Sequence, residues 1–332
     1  MKIALDVMGG DFAPRELVLG AKAFAETGKA GVLLVGRESD IRAVLPELPP
    51  NCEIVDTNEF VEMGEAPAHA LRKKKNASVA LAARLVKQGI AQAFVSAGST
   101  GAQMAASLME IGRIPGIERP APAVVLPTTD GGGCVVLDMG ANVDCKPAYL
   151  LQFALMGAAY SERIFSRPRP RIGLLNVGSE EGKGNELAKA VFPLLKDSGL
   201  NFVGNVEADH LFEGIADVVV CDGFVGNVLL KASEGISEAV VGAIKAGMKS
   251  ANLSKEAAGI IFAGLRRYQS DAPEYSGAPL LGIAGPSIVC HGKSKAPVIA
   301  HALQLAAQYA ETDVLGLIAR NLELSSVGAS DR

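Results

Sequence analysis

The stretches VCDGFVGNV and LNVGSEEGKGNE put charged and amide side chains among closely spaced glycines, each directly after a short run of aliphatic residues. Glycine lets the backbone come close to a ligand, and the free N–H groups at the start of a following helix attract anions. A phosphate is the natural occupant of such loops. In the second stretch Lys183 sits between Gly178 and Gly184, beside Glu180 and Glu181, just before a helix that begins near Asn185. The spacing is not that of a Walker A loop, because Gly178 is one residue too near and Gly184 stands where that motif needs a hydroxyl. A G-x-G-x-x-G fingerprint is also missing, which weakens a nicotinamide-cofactor reading. Each residue has a plainer alternative: Lys183 as a solvated surface lysine, Asp222 and Asn227 as helix cap and turn residues, Ser99 and Thr100 as a helix start. Cys221 closes a valine strand with no basic neighbour, so it reads as a buried small residue and not a nucleophile.

The elements that must position these residues follow from composition and periodicity. Nearly half the chain is hydrophobic yet only 5% is aromatic, with no Trp and 37 glycines, the palette of helices packed on parallel strands. Strands are predicted at 2–7, 31–36, 52–56, 92–96, 122–127, 134–138, 171–177, 201–205, 216–221 and 286–290. Helices are predicted at 14–26, 76–88, 100–110, 147–163, 184–198, 225–249, 254–267 and 295–311. This alternation implies an α/β fold with a doubly wound, mainly parallel sheet and helices on both faces. One pair departs from it, since AVVLPTTDGGGCVVLD holds two strands around a glycine-rich turn, a hairpin near 122–138. Residues 1–320 read as a single large α/β domain, in one lobe or two, with a projecting helical segment at about 245–270 and a frayed tail at 321–332. Six strands run into glycine-bearing loops, and in a parallel sheet such loops open on the edge where ligands bind.

A net charge of −4 argues against general nucleic-acid binding, so any basic site is local. Five scattered cysteines without a C-x-x-C pair fit reduced thiols in the cytoplasm. MKIALDVMGGD reads as a first strand and not a signal peptide, and no segment approaches the roughly 20 apolar residues that span a bilayer. RKKKN at 72–76 is either a solvated charged face or a surface for an acidic partner, and RPRPR at 167–171 reads as an exposed connector. No carboxylate or histidine cluster has metal-ligand spacing, so no metal is expected.

Six motifs in order over nearly the whole chain, DVMGGDFAP, ALRKKKNAS, VSAGSTGA, DMGANVDCKP, NVGSEEGKGNE and CDGFVGN, resemble the phosphate acyltransferases of bacterial phospholipid synthesis. The resemblance implies the fold of phosphotransacetylases and of isocitrate and isopropylmalate dehydrogenases, and a reaction that makes acyl phosphate from acyl-[acyl-carrier protein] and inorganic phosphate without a cofactor. One position departs, as Phe12 stands where the family often has His, so no acid–base role is assigned there. The implied catalytic residues are Lys183 for phosphate charge and transition-state stabilisation, Asn227 as donor to phosphate or oxyanion, and Asp222 to orient either or accept a proton. Ser99, Thr100, Gly101, Asn142, Gly178, Gly184, Gly223 and Gly226 would line the phosphate and substrate, with backbone N–H groups of 98–101 and 140–142 completing the cradle. Lys73, Lys74, Lys75, Arg266 and Arg267 would meet the acidic carrier protein. In SKEAAGIIFAGLRRY the residues Ala257, Ile260, Ile261, Gly264, Leu265 and Tyr268 fall on one side of a helix, either packed on the core or a dimer partner, or lying in a membrane surface with Ile260, Ile261 and Leu265 as its contacts. The resemblance implies a cytoplasmic homodimer that touches the membrane peripherally, where a downstream membrane acyltransferase takes the product. Two other readings stay open: a β-decarboxylating dehydrogenase on the same fold, and a non-catalytic scaffold for carrier protein or membrane.

Overall fold

A computed structural model describes residues 1–62, 64–269 and 272–330. Its strands are β1 (Lys2–Asp6), β2 (Gly31–Gly36), β3 (Cys52–Asp56), β4 (Ala93–Ser96), β5 (Ala121–Pro122), β6 (Val124–Pro127), β7 (Gly133–Leu137), β8 (Arg171–Leu175), β9 (Asn201–Val206), β10 (Val218–Val220), β11 (Ala278–Leu281) and β12 (Ser287–Val289). They form two sheets. The first has the order β3-β2-β1-β4-β12-β11-β5 and the second β6-β7-β10-β8-β9. In the first, β3 through β12 are parallel and β11 runs antiparallel to both its neighbours. In the second, β7, β10, β8 and β9 are parallel, while β6 pairs antiparallel with β7 as the expected hairpin, in the register Val124↔Val136 to Pro127↔Gly133.

The valine run that ends at Cys221 is wholly buried, as strands covered on both faces must be. One contiguous core joins the sheets, taking Leu5, Val95 and Ile288 from the first and Val135, Leu174 and Val220 from the second. The helix Pro147–Ile164 contributes to it along its length, with Phe153, Met156 and Tyr160 buried. At Gly157 it lies so close to the second sheet that a Cβ would stand 2.5 Å from Val218 Cγ1 and 2.9 Å from Leu137 Cδ1. Glycine is the residue that lets helix and strand touch there.

Three helices escape the sequence pattern: Glu38–Val44, Pro67–Lys73 and Val314–Ser330. The last corrects the expected frayed tail at 321–332. Val314 and Ile318 are fully buried and Leu322 packs half-buried on the same core, a four-residue spacing that keeps one helical face against the protein. Residues 331–332 lie outside the described residues. Strands β5 and β11 were also hidden, being short and carrying Pro122 and Pro279, which weaken a strand pattern.

The helix Gly223–Ser250 is 28 residues long, yet only Gly223, Gly226, Val241 and Met248 are buried. Leu229 and Leu230 half-bury against the second sheet near its base. Lys255–Leu265 folds back beside it with no buried residue at all. Ser237 donates to the Tyr268 carbonyl, and Lys245 lies 5.3 Å from the Phe262 ring, which ties the two helices into a hairpin.

Candidate active site

β10 lies between β7 and β8, so the loops that follow these three parallel strands stand side by side on one edge of the second sheet. After β7 comes Asp138, fully buried. Its carboxylate accepts the N–H groups of Gly140 at 3.0 Å, Ala141 at 2.9 Å and Asn142 at 2.6 Å, and the Asn142 Nδ2 at 2.7 Å. Burial holds this carboxyl above the ordinary carboxylate range, and the four donors offset only part of that rise. The Asn142 Nδ2 also donates to the Pro120 carbonyl at 2.9 Å, while the Asn142 carbonyl accepts the Gly223 N–H at 2.8 Å. The expected cradle is therefore corrected: the N–H groups of 140–142 turn inward to Asp138 and are not offered to a phosphate.

The loop after β10 is pressed against this one. A Cβ on Gly226 would overlap the Asp138 carbonyl oxygen, and one on Gly223 would stand 2.7 Å from the Asn142 carbonyl oxygen. Gly140, at φ +126°, approaches Asn227, whose Cβ lies 3.3 Å from where a side chain would begin. Asp222 is the N-cap of the long helix, its Oδ1 accepting the Val225 N–H at 2.9 Å. The plainer reading of Asp222 as a cap thus describes its hydrogen bond, and among the described residues it forms none to Lys183 or Asn227. Asn227 itself is exposed in the first turn. Cys221 is buried with its Sγ 3.6 Å from the Asp138 carbonyl, and burial raises its thiol well above the ordinary range, as the strand reading expects.

After β8, Lys183 stands half exposed with its ammonium 3.8 Å from Glu180. The turn around it is held from within. Asn176 Nδ2 donates to the Lys183 carbonyl at 3.1 Å, and Asn205 Nδ2 to the Glu180 carbonyl at 2.7 Å. A Cβ on Gly178 would stand 3.1 Å from Lys183 Cγ, so glycine there leaves room for the lysine stem. Gly184 has φ +98° and is followed by Asn185, which caps the helix Glu186–Lys196 through the Ala188 N–H at 2.9 Å.

Ser99, Thr100 and Gly101 belong to the other sheet. There the loops after β1, β4 and β12 meet over a second buried carboxylate, Asp6, which accepts Ser96 Oγ at 2.7 Å and the Met8 N–H at 3.1 Å. Burial raises this carboxyl too. A Cβ on Gly9 would stand 2.8 Å from the Gly98 nitrogen, and the Asp11 N–H donates to the Gly292 carbonyl at 2.8 Å. The Gly98 N–H is taken by Ser96 Oγ at 3.1 Å, a further loss from the expected cradle. Phe12 is 41% exposed, with the Lys295 ammonium 5.9 Å from its ring centre. Asp6 and Asp138 were missed as site-building residues. Their signal is the repeated pattern of a Leu-Asp at the end of an apolar strand with Met-Gly close behind, in LDVMGG and LDMGAN.

Of the basic residues, Lys74 is paired with Glu65 at 2.7 Å and donates to the Phe60 carbonyl, so it is not available to a partner. Arg72, Lys73 and Lys75 are exposed. Arg72 and Lys75 line a groove of about 260 Å³ with Leu71, Ala106 and Met109 as its apolar side. Arg84 forms two hydrogen bonds with Glu110 across the groove wall and donates to the Lys75 carbonyl at 2.8 Å. Arg267 donates to the Tyr275 hydroxyl at 3.3 Å, and that hydroxyl donates to the Gly132 carbonyl, which turns Arg267 toward the β6–β7 hairpin. Ile260 is 72% and Ile261 39% exposed, so the apolar stripe is not packed on the core of its own chain. No helix among the described residues is long and apolar enough to cross a membrane.

The family described as "Fatty acid synthesis protein" matches residues 1–317. The chain is 49% identical over 328 residues to a protein named phosphate acyltransferase from Heliobacterium modesticaldum, covering 97% of this chain and 98% of that one. It is 46% identical over 335 residues to a protein of the same name from Brevibacillus brevis, covering 100% of each. Among solved structures it is similar to a phosphotransacetylase from Streptococcus pyogenes, with a TM-score of 0.61 and 20% identity over 93% of this chain and 94% of that one. A 4-hydroxythreonine-4-phosphate dehydrogenase from Klebsiella pneumoniae gives a TM-score of 0.56 and 16% identity over 94% and 99%. Likeness at these identities speaks to the fold alone.

Proposed function

The chain belongs to the phosphate acyltransferases, and we propose that it moves an acyl group from the thioester of acyl-[acyl-carrier protein] to inorganic phosphate for phospholipid synthesis. The dehydrogenase and scaffold alternatives give way to that family. The observation that supports a phosphate site in this chain is the placement of Lys183, on an internally braced glycine-rich turn, on the same sheet edge as Asp222 and Asn227.

A phosphate oxygen attacks the thioester carbonyl carbon, the oxyanion of the tetrahedral intermediate collapses, and the C–S bond breaks to leave acyl phosphate and the carrier thiolate. Phosphate is already an anionic nucleophile near pH 7 and the thiol leaves with a pKa near 8.5, so no strong base is needed. Position and preformed donors carry the rate. Lys183 compensates the phosphate charge, Asn227 donates to phosphate or oxyanion, and Asp222 uses the oxygen left over from its helix cap to receive a proton or orient the phosphate. Gly178, Gly184, Gly223 and Gly226 let the backbone approach, with Asn142 as the wall behind them, and Ser99, Thr100 and Gly101 serve the acyl or thiol side from the first sheet.

The carrier protein meets Arg72, Lys73 and Lys75 at the groove rim, with Arg266 as a further cation and Lys74 and Arg267 kept for internal contacts. The hairpin stripe, with Ile260 and Ile261 uncovered and Leu265 half-buried, supports a homodimer or a peripheral membrane contact near the enzyme that consumes the product. Phosphate-dependent release of the carrier thiol, with label from radioactive inorganic phosphate recovered in an acyl phosphate, tests the central reading, because only transfer to phosphate joins that label to the acyl chain. Thioester loss independent of phosphate, with no label in an acyl product, would reject it.

A further inference from the structure

Asp138 has no part in the chemistry just described, yet it is the most heavily hydrogen-bonded carboxylate at that sheet edge, and no Lys or Arg ion-pairs with it among the described residues. A buried carboxylate is costly unless donors surround it. The four donors here all come from residues 140–142, so the side chain curls that turn around itself.

The turn is what the long helix rests on. The Asn142 carbonyl receives the Gly223 N–H, the backbone of Asp138 abuts Gly226, and Gly140 abuts Asn227. Apart from these contacts and the half-burial of Leu229 and Leu230, the helix has few buried residues to fix its direction. The seat at 138–142 therefore decides where the Asn227 amide points.

We infer that Asp138 is a positioning residue: it holds the Gly140–Asn142 turn as a rigid seat for the first turn of the Gly223–Ser250 helix and through it fixes Asn227. The inference rests on the acyltransferase reading only in giving Asn227 a role in turnover. Asp138→Asn keeps the shape but turns an NH₂ group toward N–H donors, which must move away. Acyl phosphate formation by Asp138→Asn, Asn227→Ala and the double variant is the measurement. Asp138→Asn is expected to lower kcat at least tenfold, and the double variant to fall within about threefold of Asn227→Ala alone, since residues that act through one another are not additive. Losses that multiply, or a folded Asp138→Asn enzyme with normal kcat, would overturn the inference.

If Asp138→Asn does not fold, Asn142→Ala removes one of the four donors and leaves the backbone bonds. Its kcat should drop in the native background and not in the Asn227→Ala background, and equal drops in both would count against the seat. Deuterium exchange keeps the two readings apart. Faster exchange at the amides of 223–228 in either variant is expected whether or not the protein makes acyl phosphate, and unchanged exchange there would overturn the seat even if activity fell.

Discussion

At the residue scale the site rests on few side chains, and their contributions separate by mechanism. Lys183 is half exposed and, among the described residues, its ammonium makes only the loose pairing with Glu180, so Lys183→Ala should leave the thermal midpoint within a few degrees. Turnover should fall on the order of 10²-fold or more, as the loss of a preformed charge-stabilising donor does; a folded variant with near-normal turnover would remove Lys183 from the mechanism. Gly226→Ala should behave in the opposite way. Its methyl would overlap the Asp138 carbonyl oxygen, and forced overpacking costs about 1–3 kcal/mol. A drop in the urea midpoint together with activity checks this, and a midpoint equal to that of the native protein would mean the loop yields. The loops and their charged residues were legible in the sequence because glycine spacing is local. The inward turn of the 140–142 N–H groups was not, because it depends on where the buried Asp138 carboxylate sits relative to a turn whose shape no spacing reveals.

At the element scale the start of β8 is clamped to the start of β10 through Asp217. Burial pushes this carboxyl up, but the two hydrogen bonds from the Arg171 guanidinium and one from its backbone, with Arg167 3.5 Å away, bring it below the ordinary range. The clamp's stability is thus present above the unfolded carboxyl pKa near 4 and is lost as pH falls through the lower folded value. Asp217→Asn should cost about 1–2 kcal/mol at pH 7, discounted because Arg171 is partly exposed. Urea unfolding at pH 7 and near pH 3 is the check, with the gap between native and variant expected to shrink at the lower pH. The RPRPR stretch read as a connector, and its residues 168 and 169 are exposed as expected, but Arg167 and Arg171 are the clamp's cations. Sequence showed the charge run and not its partner, which lies about 46 residues on at Asp217. The periodic helices and valine-rich strands were legible for the reason that Val314–Ser330 was not: a strong apolar period announces itself, whereas here Val314, Leu315, Leu317, Ile318, Ala319 and Leu322 all pack on the core within nine residues and the remaining sequence of the helix carries no such stripe.

At the scale of the whole molecule two sheets share one core, while a long hairpin stands apart from it with Ile236, Val240, Ile260 and Ile261 uncovered. Ile260→Glu with Ile261→Glu should leave activity on a short soluble thioester intact and abolish sedimentation with anionic vesicles, if the stripe meets membrane. A shift of the native mass from dimer to monomer in gel filtration, with vesicle binding unchanged, would assign the stripe to the subunit contact instead. The hairpin also has a mechanical meaning. Its long helix is seated at Gly223 and Gly226 and half-buried at Leu229 and Leu230, leaving about 30 Å of rod beyond Leu230 at 1.5 Å per residue. A sideways load at the outer end therefore falls on the seat at 138–142 as a torque, with a long arm on the side of the load and a short one on the side of the seat. Misplacement on the order of 1 Å is enough to change a rate a hundredfold. The stiffness of that buried turn is thereby what isolates the amide on which the proposed chemistry depends from the motion of the tip.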